Sequence, residues 1–442
     1  MKFCLCLVFI FSIFTAALFS LDIELESAIN AKDSDKVLAI FRTKKLSEDD
    51  LTVLFDFAAQ QKEKMRKEYL YAIRDKNTTD ATIGKHIYNE IMRLIKENRV
   101  EDNLPYTLLC LQLAETNKNS DLLYAVAPFL VHPREKLRIE ANKIIAIKKD
   151  ERIYPLIGQL LAGENDIDKI YAMETLTALK DERAVPLLLQ QLTHTNKNIR
   201  YYALKSLEAI ASDKAQYGII RVAESDASEE VRLKGVEVLR YFKTGPVTSA
   251  LQKLIGDKNL AVRNLALESA LFQKLKAYAS TISEQLAQES EPEQKEKLLQ
   301  GLFVIGSGGG MNGVYKLLKQ ETDAHLLIGA AYACNRFNET KCNDLLIARI
   351  ATEKDESTLV EFLYSLGEFK YKKNLPLFID ILKNAEKSTL VRSAALNAIR
   401  AYDGEATVLP LFDIYSLEKD LGLRAQMKET LTDLMRRKLA KL

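Results

Sequence analysis

The stretch NKNIRYYALKSLEAIA, residues 196–211, returns down this chain at nearly constant spacing, and no other feature limits the fold so tightly. Aligned on its arginine, the copies fall at Arg138, Lys169, Arg200, Arg232, Arg263, Lys295, Leu327, Leu359, Arg392 and Arg424, always 31 to 33 residues apart. Such a register marks a repeat array, in which each unit is one supersecondary element too small to bury its own apolar face.

The columns around the anchor show what the unit is. Three residues past it stand Ala141, Ala172, Ala203, Gly235, Ala266 and Ala330, mostly small; seven past it stand Ile145, Leu176, Leu207, Leu239, Leu302 and Ile399. Offsets of three and seven share one face of a helix, so this stripe predicts a buried face that a neighbouring helix approaches closely. Four residues before the anchor, Asn165, Asn196, Ser228, Asn259, Asp323, Asp355, Ser388 and Asp420 carry short side chains able to accept from the free N–H groups of a starting helix, with Glu291 the longer exception. Upstream lies a second apolar segment, such as VPLLLQQL from Val185 or LPLFIDIL from Leu375, with Pro155, Pro186, Pro376 and Pro410 near its start, where a helix tolerates a missing donor. The unit is therefore predicted to be two antiparallel helices joined by a short polar turn.

The segment DERAVPLLLQQLTHTNKNIRYYALKSLEAIA, 181–211, resembles the short HEAT repeat of phycobilisome-lyase type, with its D-x-R-A-V-P-x-L start and V-R-x-x-A-x-x-A-L second helix. The likeness is strong over 138–270 and 375–431 and decays over 282–366. It implies an all-α fold: a right-handed α-solenoid of about ten to eleven HEAT-like helix pairs. Tetratricopeptide and ankyrin signatures are missing, and the chain has no tryptophan. Bilin-lyase chemistry does not follow from the likeness, since the shared feature is the repeat and not an active site.

Residues 1–20, MKFCLCLVFIFSIFTAALFS, read as a secretory signal peptide: one lysine, a long apolar run, then small residues, with cleavage expected after Ala17 or Ser20 and an uncleaved anchor as the alternative. Export places the mature chain in a bacterial periplasm, soluble or peripherally attached. Residues 21–99 are helical in pattern but out of register and are expected to cap the open end of the array, which occupies 100–442. Within 79–114 lies a degenerate first repeat with Thr107 near the anchor position. The run from Lys62 to Lys67 is interleaved by glutamate and reads as a solvated helix face. The glycines Gly306, Gly308, Gly309, Gly310 and Gly313 lack the lysine and hydroxyl of a phosphate loop and are expected to form a flexible turn where the superhelix bends. Beyond the signal, Cys110, Cys334 and Cys342 are too few for a disulfide scaffold, and Cys110 and Cys334 read as small core residues.

Charge and chemistry narrow the function. Formal charge is +2 over 442 residues, so no global field steers the chain toward nucleic acid. The mixed signs five residues past each anchor argue against a phosphate track. The four histidines, His86, His132, His194 and His325, form no His-Glu step and no same-turn pair, so neither metal nor cofactor is expected, and no enzyme. Second helices commonly line the inner surface of such arrays. On that geometry Tyr171, Tyr202, Lys205, Arg240, Tyr332, Tyr364 and Arg400 are the expected protein-binding residues. The expectation is an exported, non-enzymatic scaffold holding another envelope protein through its curved surface. The alternatives are a peripheral membrane-associated protein, docking through 62–67 or the basic tail from Met435, and a small-ligand-binding HEAT protein. Membrane contact is thus compatible with this reading but not required by it.

Overall fold

The structure is a computed structural model and describes residues 22–44, 47–61, 68–69, 72, 81–306, 309–402 and 405–439. The signal-peptide stretch, the Lys62–Lys67 run and Gly308 lie outside the described residues. Among the described residues the regular structure is helical throughout. The chain divides into two compact units, Met1–Gly218 and Ile219–Leu442.

The first unit begins with α1 (Ile23–Asn30), α2 (Ser34–Thr43) and α3 (Glu48–Gln60), which bury Leu25, Val37, Phe41, Leu54 and Phe55. Next come α4 (Ala81–Lys96), α5 (Leu104–Thr116), α6 (Leu122–Val126) and α7 (Glu135–Lys148). The last two hairpins are α8 (Ile153–Ala162) with α9 (Asp166–Leu179), and α10 (Val185–Gln191) with α11 (Lys197–Ile210). The second helices α5, α7, α9 and α11 pack each on the next, and α8 and α10 each pack on their own hairpin partner. That pattern, in which each helix packs chiefly on its immediate neighbours, is the packing of an α-solenoid.

The helix α12 (Gln216–Ser225) contains the dividing point. The second unit continues with α13 (Glu229–Leu239), α14 (Gly245–Ile255), α15 (Leu260–Gln273), α16 (Ala279–Gln288), α17 (Pro292–Ile305), α18 (Asn312–Gln320) and α19 (Ala324–Arg336). It ends with α20 (Lys341–Ile350), α21 (Glu356–Phe369), α22 (Leu375–Lys383), α23 (Thr389–Ile399), α24 (Glu405–Leu417) and α25 (Leu421–Leu439). Here too the second helices α13, α15, α17, α19, α21, α23 and α25 pack in succession. The predicted stripe is the core: Ala203, Leu207, Ala266, Ala270, Leu302, Ala330, Phe362, Leu366, Ala395 and Ile399 expose nothing to solvent. Pro186 and Pro376 sit in the first turn of their helices as predicted, but Pro410 lies well inside α24, not at its opening.

The anchor is a turn lock. Arg138, Arg200, Arg232 and Arg263 each donate from Nη1 to the carbonyl six residues earlier, those of His132, His194, Asp226 and Asp257, at 2.8 to 2.9 Å. These carbonyls lie in the turn before the second helix, where no helical partner reaches them. Thr107, in the degenerate repeat, does the same by donating to the carbonyls of Val100 and Asn103. The side chain six before the anchor closes the turn from the other direction, accepting from the backbone N–H two residues on: Asp226 from Ser228, Asp257 from Asn259, Glu289 from Glu291, Glu321 from Asp323, Glu353 from Asp355 and Glu418 from Asp420. In the first unit His132 and His194 fill this position, each accepting through Nδ1 from Arg134 and Asn196. Burial holds His132 below its ordinary imidazole range, which keeps that nitrogen an acceptor.

The N-caps fall where expected at Asn165, Asn196, Asn259, Asp323, Asp355 and Ser388, each accepting from a first-turn N–H. Ser228 and Glu291 make no such bond. Eleven residues past the anchor the chain turns left-handed to leave the helix, at Lys149, Lys180, Ala211, Lys274, Gly306, Asn338 and Lys370, with φ between 49° and 66°. Gly306 therefore occupies the ordinary exit position of its repeat, and only it meets no steric cost there. Gly310 and Gly313 serve contact: a Cβ at either would come within 2.5 Å of the carbonyl of Ala279 or Ser283 on α16. The Gly313 N–H also donates to Ser283 Oγ at 2.9 Å.

One cysteine reading is corrected. Cys334 lies in the aliphatic slot and is fully buried as expected, yet it is bonded to Cys342, their Cα atoms 5.8 Å apart, clipping α19 to the start of α20. The bond therefore links the second helix of one repeat to the first helix of the next. Cys110 is free and buried.

Candidate functional site

The face left to solvent on each second helix is set by what the other faces do. Positions three and seven past the anchor are core, position six meets the neighbouring second helix, position two is half-buried in most repeats, and positions five and nine are the most exposed. The six-past contacts are polar in places: Ser206 accepts from the Thr177 hydroxyl of α9 at 2.8 Å, and Thr175 donates to Asn142 of α7 at 2.6 Å.

In the first unit, Tyr171 lies beneath Arg138, whose guanidinium carbon is 3.7 Å from the ring centroid, so this anchor rests on the tyrosine of the following repeat. This contact is worth about 1 kcal/mol. Tyr202 is half-buried, meets Tyr201 edge-on at 6.1 Å, and has the Lys205 ammonium 5.8 Å from its ring. Lys205 is exposed.

In the second unit, the Tyr332 hydroxyl donates to Glu361 at 2.7 Å while much of its ring stays in solvent, and Tyr364 is also exposed. Glu361 raises the Tyr332 phenol above its ordinary value. Arg400 pairs with Glu429 at 2.7 Å and borders an open, charged cleft of about 500 Å³ shared with Lys428, Asp433 and Arg436. Arg240 stands beside Phe272, its guanidinium carbon 5.9 Å from the ring. Tyr171, Tyr202 and Lys205 thus belong to the first unit, and Arg240, Tyr332, Tyr364 and Arg400 to the second.

A further exposed column, absent from the expected binding residues, stands nine residues past the anchor. It carries Ile147 in the first unit and Tyr241, Phe272 and Val304 in the second, each about half exposed. The same offset count that found the core would have found it, since apolar residues at a position outside the buried stripe are themselves the signal.

Among the described residues no group of three or more His, Cys, Asp or Glu is placed to hold a metal, and no helix is long and apolar enough to cross a membrane. The arrangement offers contact area with cations and aromatic rings, the composition of surfaces that bind other macromolecules.

Residues 153–219 match the family model described as HEAT repeats. With that match and the repeat architecture above, the chain is a HEAT-repeat helical protein. No curated protein matches it. Among solved structures it is similar to Kap121p, at 13% identity and TM-score 0.48, covering 89% of this chain and 50% of that one. It is similar to a chain in a homology model of the AP-3 complex, at 13% identity and TM-score 0.43, covering 92% and 79%. It is also similar to human deoxyhypusine hydroxylase, at 18% identity and TM-score 0.25, covering 73% and 98%. The chain spans half the length of the Kap121p chain, and none of these likenesses bears on its activity.

Proposed function

We propose that this protein is an exported, non-enzymatic scaffold that holds another envelope protein on the solvent faces of its second helices. The observation that carries the reading is the register itself. Stacking sets successive second helices side by side, and their outward positions bear tyrosine and lysine in the first unit, at Tyr171, Tyr202, Lys143 and Lys205, and tyrosine, phenylalanine and arginine in the second, at Tyr332, Tyr364, Phe272 and Arg336. Rings of this kind supply large contact area at small entropic cost, which suits protein recognition.

Export is supported by the Cys334–Cys342 bond, because structural disulfides persist in oxidising compartments and are rare in the cytosol. The experiment is crosslinking of the tagged chain in intact cells, followed by fractionation and thiol alkylation. The reading expects the chain outside the cytoplasm, with Cys334 and Cys342 resistant to alkylation until reduced, and a recurrent protein partner. A cytoplasmic chain with both thiols free and no crosslinked protein would overturn it.

A further inference from the structure

The second unit carries a row of exposed apolar side chains at the carboxy ends of three consecutive second helices, Tyr241 just past the end of α13 at 50% exposure, Phe272 on α15 at 56% and Val304 on α17 at 51%. All three stand nine residues past their anchors, so they repeat the same place in the fold. The Tyr241 and Phe272 rings meet edge-on at 5.8 Å, which joins two repeats into one surface. Half-buried Leu271 and Phe303 flank it, and Phe303 stacks on Phe337 at 6.2 Å. In the next two repeats the equivalent residues are Arg336 and Glu368, so the apolar row has an end.

The charges beside the row are lopsided. Eight residues past its anchor, Arg400 finds Glu429, whereas Arg240 at the same place makes no ion pair and leaves its buried Nε without an acceptor. Lys243, Lys274 and Lys276 are exposed beside the same helix ends, and no ion pair holds them. Glu237, three residues before Arg240, is already held by Lys234 at 3.0 Å. A ligand for this face must cover apolar rings and bring negative charge to their cationic edge.

Repeat spacing says what shape fits. Packed second helices lie about 10 Å apart, and an α-helix advances about 10.5 Å in seven residues. A helix laid across the row therefore presents one apolar residue per repeat at heptad spacing, keeping its flanks for charge.

We propose that Tyr241, Phe272 and Val304, edged by Arg240, Lys243 and Lys274, are the docking face for an acidic amphipathic helix of a partner protein. This rests on the scaffold reading and names the place and chemistry of the contact.

The test uses the full chain and two labelled helical peptides of about 18 residues, both with leucine at heptad spacing, one with glutamate flanks and one with lysine in their place. Fluorescence anisotropy is expected to show the glutamate peptide binding at least about tenfold more tightly. Tyr241→Ser with Phe272→Ser should weaken it by a similar factor while the circular-dichroism melt stays unchanged. Arg240→Glu with Lys243→Glu and Lys274→Glu should reverse the preference. No binding, equal binding of the two peptides, or binding indifferent to both sets of changes would overturn the proposal. Should the wild-type chain capture an envelope protein that the Tyr241→Ser, Phe272→Ser chain captures equally well, the scaffold reading survives and this docking face does not.

Discussion

The hairpin α10–α11 and the run α18–α20 solve the same problem with different residues. In the first, Arg200 reaches back to the carbonyls of His194 and Thr195 and closes its own turn. In the second, the anchor is Leu327, which has nothing to donate. The carbonyl that an arginine there would bind, that of Glu321, is taken instead by Arg349 from α20 at 3.1 Å, and the Glu321 carboxylate is held by Lys295 of the preceding repeat at 2.6 Å. The Cys334–Cys342 bond then fastens α19 to α20. What persists between the regions is a satisfied turn and not an arginine. That explains how the sequence likeness fades over 282–366 while the helix pairs continue.

The largest effect belongs to the most buried version of the lock. Arg392 and Glu418 form an ion pair with both side chains under a tenth exposed, and Arg392 also donates to the Leu382 carbonyl at 2.8 Å. Arg392→Ala strands the carboxylate and should cost about 3 to 5 kcal/mol, read from denaturant unfolding. The pair also sets an acid limit. Burial alone would push the Glu418 carboxyl up, but the Arg392 guanidinium and the backbone N–H of Asp420 bring it below its ordinary value. Glu321 follows the same logic, burial being outweighed by Lys295 and the N–H groups of Thr322 and Asp323. A carboxyl depressed in the folded state stabilises above its unfolded value of about 4.3, and that contribution is lost as pH falls through the folded value. Melting temperature should therefore drop below that pH, and less steeply in a Glu321→Gln, Glu418→Gln chain.

Next in size, Cys334→Ser with Cys342→Ser opens a short loop and should cost about 2 to 3 kcal/mol, with reduction of the wild-type chain lowering the melt to match. Arg349→Ala should cost about 1.5 to 3 kcal/mol, because it leaves the Glu321 carbonyl without its donor. Its effect should approach that of removing a true anchor. Smallest is Lys274→Gly. The left-handed exit costs a residue with a side chain about 1 to 2 kcal/mol relative to glycine, so this change should raise the unfolding midpoint slightly, by up to about 1 kcal/mol net of glycine's greater unfolded entropy.

Much of this was legible in the residues, and the misses have physical causes. The buried stripe and most N-caps could be read because helical periodicity and short oxygen-bearing side chains are specific signals, as Ala203, Leu207 and Asn196 show. The exit position was hidden because lysine holds it at 149, 180, 274 and 370, where glycine would have announced it. The acceptor six before the anchor was hidden because imidazole and carboxylate do one job there: His194 in one repeat, Asp257 in another. Cys342 was hidden because pairing depends on a hairpin closing, and cysteine spacing alone does not encode that. Among the candidate binding residues, the fifth position carries Tyr332 and Tyr364 on separate repeats, whereas the ninth carries Tyr241 and Phe272, whose rings meet, and a contact between repeats is not visible in the spacing of either column.

The account rests on one lock repeated along the chain, and the direct measurement is the unfolding free energy of Arg200→Ala, Arg232→Ala and Arg263→Ala beside Arg221→Ala, an exposed arginine outside the lock. Each anchor change should cost about 1 to 3 kcal/mol, and the control should stay within about 0.5 kcal/mol of wild type. Anchors that cost no more than Arg221 would show that the turns close without them and would contradict the account.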